Sequence, residues 1–381
     1  MRGIGLALTL LALPATALAD DYKPVVCKSA VTYAGAPLHG PVVPPLTPDV
    51  PKTALDPETV ARLAAAFEQA KAATKAPAMT AAVLIPGKGA WERTDSGGQP
   101  PMLFWASAGK TLTAVVVLQL VEAGKLRLED PIGKYVAGVP NGDVVTIRDL
   151  LAHTGGLFSA NEDLKAHAEH RAHTLDEDLK ILVRHGAMAC PGERWRYSNT
   201  GYDLLGKVIE AADGQPWRAA IEARIFKPLG LTHLRVLAAD DKAEDVAKLV
   251  STKQPPIAPA WAGAAGPVVG SAGDMARVWA ALLGGKLLKQ ETVRAMFARL
   301  YPMFDAGSWY GLGVMAVEVP RADGTKALWL GHLGGTPGAG AVVAYSVEDG
   351  AIVAAALTGD GSAAATANLL LRQVRSPPRD P

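Results

Sequence analysis

The stretch Phe104-Trp105-Ala106-Ser107-Ala108-Gly109-Lys110-Thr111-Leu112-Thr113-Ala114-Val115-Val116-Val117-Leu118-Gln119-Leu120-Val121-Glu122-Ala123-Gly124 decides how the rest of the chain is read. From Thr111 to Val121 nearly every residue is apolar, which leaves no wet face and predicts a helix that runs through the interior. At its mouth stands Ser107-x-x-Lys110, a spacing that puts a hydroxyl and an amine on one face of the first turn. Burial strips hydration from a lysine, and a helix N-terminus disfavours added positive charge, so both effects favour the neutral amine. A neutral amine beside a serine is a base beside a nucleophile, the pairing that acyl transfer needs. Standing alone, the tetrapeptide is better explained as an ordinary serine N-cap. Its meaning depends on what the rest of the chain supplies.

Toward the N-terminus, Arg2, the apolar run Ile4 to Leu13 and the small residues Ala17 and Ala19 before Asp20 read as a cleavable secretory signal over 1–19. That run is too short to span a bilayer, and the apolar helix after Ser107 is broken by Gln119, Glu122 and its threonines. A chain that is periplasmic or secreted, with no membrane span after signal cleavage, is expected. Lys plus Arg number 38 and Asp plus Glu 37, so the charge balance points to no nucleic acid and to no strongly charged partner. With 49% hydrophobic and 20% charged residues the chain is globular, and its length suffices for a large core. It has two cysteines, Cys27 and Cys190. Export permits a disulfide between them; two buried thiols are the alternative. A bridge would close a loop of about 160 residues, valued at roughly 5 kcal/mol by chain entropy before strain is subtracted.

Prolines crowd from Ala36 to Lys52, so 20–55 reads as an extended arm. Asp56-Pro57 opens a helix to about Ala73, and Met79 to Pro86 with Ala90 to Thr94 reads as a strand pair. Helices follow from Thr146 to Ala152, from the capping box Thr174-Leu175-Asp176-Glu177 to His185, and over Gly201–Ala212, Pro216–Phe226 and Gly273–Leu283. The pattern then turns to strands at Val314–Val319, Ala327–Leu330, Gly340–Ser346 and Ile352–Leu357, with a last helix from Ser362 to Val374. Strands at both ends with helices between predict an α+β fold: one antiparallel sheet built from both chain ends and flanked by helices, with an inserted all-helical subdomain. The expected catalytic domain is 56–375, with sheet regions at about 56–105 and 310–375 and the helical and loop region at about 106–309. His153, beside the glycine turn Thr154-Gly155-Gly156, reads as a loop anchor more readily than as a catalytic group. His167, His170 and His173 read as a solvated polar face, since no carboxylate or cysteine completes a metal set.

Three pieces, Ser107-x-x-Lys110, Tyr197-x-Asn199 and His332-Leu333-Gly334, together resemble the active-site serine family that includes class C β-lactamases, D-alanyl-D-alanine carboxypeptidases, D-aminopeptidases and related esterases. The resemblance continues through Thr146 to Leu157, Pro191 to Asn199 and Gly331 to Gly338, and covers roughly Val83 to Leu357. It implies a site between the sheet and the helical region. Ser107 would be the nucleophile, with Lys110 and Tyr197 sharing the proton, the lysine cation lowering the phenol's pKa. Asn199 would donate its amide to substrate or orient Lys110, and His332, on an edge strand, would face the substrate with Gly334 beside it. The backbone N–H groups of Ser107 and Gly335 would form the oxyanion hole. No cofactor or metal is implied.

Three departures stand out. Gly109 replaces the larger residue common before the lysine and is expected to loosen the first turn by about 1 kcal/mol. Thr358-Gly359-Asp360 stands where relatives often carry asparagine, and His332 stands where β-lactamases carry lysine. Of the serines, none lies in a G-x-S-x-G between strand and helix, so a Ser-His-Asp hydrolase has no support. The reading is therefore an exported serine hydrolase acting through an acyl-enzyme on an ester, D-amino-acid amide or peptidoglycan-type D-peptide. A class C-like β-lactamase is the alternative within this chemistry, and a non-catalytic binder of cell-wall peptide or a partner protein is the alternative outside it.

Overall fold

The computed structural model describes residues 23–266, 268–321 and 323–375. The expected signal segment, 1–19, lies outside the described residues. Strands β1 (Met79–Ile85) and β2 (Gly89–Asp95) come from the N-terminal part. Next come β3 (Leu103–Phe104), β4 (Leu234–Val236), β5 (Val268–Gly270), β6 (Tyr301–Pro302) and β7 (Ser308–Tyr310). The C-terminal part supplies β8 (Met315–Pro320), β9 (Lys326–Thr336), β10 (Ala339–Ser346) and β11 (Ala351–Thr358). Eight of these form one antiparallel sheet in the order β2-β1-β11-β10-β9-β8-β7-β6, so strands from the two ends of the chain meet at β1 and β11. Met79 pairs with Leu357 and Leu84 with Ile352.

Both faces of this sheet are covered, which is why β1 and β11 read as continuous apolar runs with no polar alternation. Met79, Ala81, Val83, Val353 and Ala355 point toward α1 (Pro57–Thr74) and the C-terminal helix Ala363–Val374, against Leu63, Phe67 and Leu370. Ala82, Leu84, Ala354 and Ala356 point the other way, into the core shared with the central helices. Asp56 caps α1 by accepting the Thr59 N–H, with Pro57 in the first turn.

The central helices are α2 (Lys110–Glu122), α3 (Ile147–Ala152), α4 (Leu164–Ala168), α5 (Leu175–His185), α6 (Asn199–Asp213), α7 (Trp217–Ile221), α8 (Ala272–Leu283) and α9 (Gln290–Phe297); the C-terminal helix is α10. α2 runs through the core with Lys110 to Leu118 all buried, and its threonines are paired internally: Thr111 Oγ1 donates to Gly313 O and Thr113 Oγ1 to Ala264 O. The middle region is not helical throughout. It carries a small second sheet, β3-β5-β4, whose strands of two or three residues are too short to show a period in sequence.

β9 differs from the reading of its sequence in two ways. It runs six residues past Leu330, because Gly331 and Gly334, which look like strand breakers, are positions of close backbone approach. It is also not an edge strand, lying between β10 and β8. Its pairing with β8 stops at Gly331, however, so His332 to Thr336 project beyond β8 with one side open toward the start of α2.

The N-terminal arm is held to the body at its start and at its end. Cys27 and Cys190 are disulfide-bonded, with Cα atoms 5.8 Å apart. Val25 N–H donates to Ala187 O, Val31 N–H to Pro191 O and Ala34 N–H to Glu193 O, so the arm clamps the segment that leads into Tyr197. Farther on, Ala54 pairs with Ala90 and covers the outer edge of β2.

Candidate active site

Ser107 sits on a short 3-10 turn, Ala106–Gly109, that feeds α2. Ala106 has φ 45°, a left-handed conformation costly for a residue with a Cβ and held here by its surroundings. Trp105 fixes the approach, its backbone N–H donating to Val268 O and its indole Nε1 to Gly270 O. Gly109 does not loosen this turn as expected. A Cβ there would lie 2.8 Å from Gly266 Cα, so glycine is what lets the neighbouring segment close onto the nucleophile's turn. Gly334 plays the same part on the other side: a Cβ there would stand 2.3 Å from Trp105 O and 3.2 Å from Ser107 N. The backbone of β9 therefore meets the backbone of Ser107.

Lys110 is fully buried. Its Nζ lies 2.6 Å from Asn199 Oδ1, 2.9 Å from Ala265 O and 3.2 Å from Ser107 Oγ. The first two oxygens can only accept, so they take two N–H bonds whatever the charge. The third direction, toward Ser107, holds an N–H in the ammonium and a lone pair in the neutral amine. Burial brings the amine down to about 7, partly opposed by the Asp203 carboxyl.

Tyr197 lies over this group, with Lys110 Nζ 4.8 Å from its ring centroid. Its hydroxyl is buried beside Ser107 but, among the described residues, not aligned for a hydrogen bond. The expectation that the lysine cation lowers the phenol's pKa is overturned. Burial pushes Tyr197 well up, and a lysine that is itself half-neutral near pH 7 offers little charge to oppose this. Asn199, the first residue of α6, is placed to orient Lys110. Its Nδ2 donates to Asn161 Oδ1, while Ser159 Oγ accepts the Asn199 N–H and donates to Asn161.

His153 is the anchor its position suggested. It caps α3 with φ 59°, accepts Arg196 N–H on its carbonyl and Ser198 N–H on Nδ1, and its ring packs 4.2 Å from that of Tyr197. His332 requires correction, since its ring is only 2% exposed and both its nitrogens are engaged within the protein. Nδ1 donates to Leu333 O at 2.6 Å, which leaves Nε2 to accept the Tyr310 hydroxyl at 3.0 Å. Burial holds it neutral, with a pKa down at about 3. The histidine trio separates as well. His173 is buried, not solvated, and stacks on Trp261 at 4.7 Å, while His170 is exposed.

Sequence reasoning missed Ser159, Asn161, Ala265, Tyr202 and Tyr310. Ala265 acts through its carbonyl, which no residue type announces, and Ser159-x-Asn161 falls in a stretch that reads as plain loop.

A partly exposed serine on a strained turn, a buried amine at hydrogen-bond distance and a phenol over the amine make an arrangement able to transfer a proton from a serine, set in a β-lactamase-type fold. The chain belongs to the Beta-lactamase family, whose model matches residues 63–375. It is 32% identical over 219 residues to the putative penicillin-binding protein PbpX of Bacillus subtilis, covering 55% of this chain and 52% of that one. To the esterase EstB of Burkholderia gladioli it is 31% identical over 211 residues, covering 47% and 52%. The chain spans about half the length of these curated relatives. Among solved structures, a D-stereospecific amidohydrolase from Streptomyces sp. superposes with a TM-score of 0.66 at 29% identity, covering 79% of this chain and 94% of that one. The D-amino acid amidase of Ochrobactrum anthropi shares the fold, with a TM-score of 0.70 at 23% identity over 82% and 98%. Among the described residues no helix is long and apolar enough to cross a membrane.

Proposed function

We propose that residues 56–375 are the catalytic unit of an exported hydrolase that acylates Ser107 with a short-chain ester, a D-amino-acid amide or a peptidoglycan-type D-peptide. The observation that carries this reading is the environment of Lys110 Nζ: two obligate acceptors fill two of its directions and Ser107 Oγ fills the third. In the neutral amine the remaining lone pair receives the Ser107 proton as Oγ attacks the substrate carbonyl. The Ser107 and Gly335 N–H groups bind the oxyanion, and Gly334 permits the approach of strand to serine that this requires. Tyr197, neutral throughout, passes the proton from Lys110 to the leaving group. Water then cleaves the acyl-enzyme with Lys110 again as base. The disulfide supports passage through an oxidising compartment.

Substrate preference follows from His332. The strand position that would offer a β-lactam carboxylate a lysine cation holds instead a buried neutral imidazole. The charge-assisted contact forgone is worth about 1.5 to 3 kcal/mol, or roughly ten- to a hundredfold. kcat/KM for p-nitrophenyl butyrate is therefore expected to exceed that for nitrocefin, with the acyl group found on Ser107 by intact mass and peptide mapping. Faster turnover of nitrocefin would make the chain a β-lactamase, and no adduct from either compound would support the non-catalytic binder.

A further inference from the structure

Behind Lys110, away from the cleft, two carboxyl groups are buried together. Asp203 lies one turn after Asn199 on the same face of α6 and is 3% exposed; Asp178, on α5, is 2% exposed. Asp203 Oδ1 accepts the Ala264 N–H at 3.0 Å, and a Cβ on Gly263 would come within 2.3 Å of the same oxygen. The next carbonyl along, Ala265 O, is the one that holds Lys110 Nζ, while Ala264 O holds Thr113 of α2. Asp178 Oδ1 accepts the indole N–H of Trp261 at 3.2 Å, in the same Pro259–Ala265 segment. Both carboxyls thus grip the segment whose carbonyl grips the lysine.

The two carboxyls are also within hydrogen-bonding reach of each other, which requires a proton between them. Burial pushes both upward, helped by the charge of Asp178 at Asp203 and by that of Glu177 at Asp178, which is raised to about 7 although its hydrogen bonds with Trp261 and Asp203 oppose this. Asp203 faces Lys110 and Asp178. Around Asp178 stand His173, whose Nδ1 is 3.9 Å away, with Glu177 and Arg171, and Glu169 lies beyond His173. Lys110 itself faces Ser107, Tyr197, Tyr202, His153, His332 and Asp203.

We propose that Asp203 and Asp178 form a carboxyl pair holding one proton and one negative charge, and that this pair is the positioning device for Lys110, seating its carbonyl partner and supplying its counter-charge from behind. The inference rests on the reading of Lys110 as the base for Ser107. A lysine buried with no opposing charge would be neutral but too weakly basic to draw a proton from serine. A carboxylate at the back of the site restores basicity without occupying the lone pair that faces Ser107.

The test uses the full chain and a fluorophosphonate probe, whose phosphorus bonds to Ser107 Oγ with loss of fluoride as the serine proton leaves. Asp203→Asn pins the negative charge on Asp178, and Asp178→Asn pins it on Asp203, the member that acts on Lys110. The acidic limb of the labelling rate is expected to lie about one pH unit higher in Asp178→Asn than in Asp203→Asn, with wild type between them. A merely structural role would lower the rate at every pH and leave the limb in place, so coincident limbs or the reverse order overturn the proposal. Should Asp203→Asn fail to fold, Asp178→Asn against wild type decides, a limb above wild type supporting the pair and one at or below wild type overturning it. Absence of labelling in the wild-type chain would instead remove the Ser107–Lys110 reading itself, and this inference with it.

Discussion

The two faces of the large sheet are made by alternate residues of the same strands, yet they bury different chemistry. Toward α1 and α10 the interior is hydrocarbon, with Leu63, Phe67, Leu370 and Leu371 packed on Met79, Ala81, Val83 and Val353. Toward the central helices an equally dry core gives way, beside the projecting end of β9, to Lys110, Asp203, Asp178, His153 and His332, all buried. The first face returns free energy for every area it hides. The second hides groups that water would stabilise better, and does so where β9 meets the turn carrying Ser107. Stability and buried polar chemistry thus lie mainly on opposite sides of one layer of strands, meeting at Tyr197 and Tyr310, which pack against the hydrocarbon side.

Mutations can break that division. Ser107→Ala should cut kcat/KM at least about 10³-fold and leave the unfolding free energy within about 0.5 kcal/mol of wild type, because a half-exposed hydroxyl contributes little to packing. Phe67→Ala should do the reverse. This fully buried ring, edge-on to Trp91 at 6.2 Å, should cost about 3 to 5 kcal/mol in urea unfolding and leave kcat/KM of the folded fraction unchanged. A stability loss in the first variant, or an activity loss in the second at equal folded concentration, would show the faces to be coupled.

A smaller effect sharpens the contrast. Lys110 falls to about 7 in the folded chain from its ordinary 10.5, so between these limits the unfolded chain binds a proton that the native chain lacks. Stability contributed by this group is present above the unfolded value and lost as pH falls through 7. The unfolding free energy of wild type relative to Lys110→Met should therefore rise by about 1 kcal/mol per pH unit between about pH 7 and about pH 10. A pH-independent difference in paired denaturation curves would contradict the burial of a titrating amine.

Much of this division was legible in the chain. The unbroken apolar run after Thr111 announces a helix through the core, and apolar strands at both ends announce a sheet closed between termini. Ser107, Lys110, Tyr197 and Asn199 are recognisable by spacing, and the structure gathers them around one amine. What escaped was tertiary in origin. Asp178 and Asp203 look like ordinary polar positions of amphipathic helices until α5 and α6 bring them together, and Ala265 contributes only backbone. His332 was placed on the right strand but with the wrong exposure, because the partner that draws its ring inward, Tyr310, belongs to a strand of three residues. Gly109 read as a weakness in a helix considered alone and proved to be a contact with Gly266.

The claim at the centre of this account, that neutral Lys110 takes the proton of Ser107, is tested most directly by the pH dependence of kcat/KM for p-nitrophenyl butyrate, measured from about pH 5.5 to about pH 9. Only the unprotonated amine is active on this account, so the profile should climb with unit slope below a pKa of about 7 and level off above it. A profile that is flat across this range, or that falls as pH rises while the protein stays folded, would contradict it.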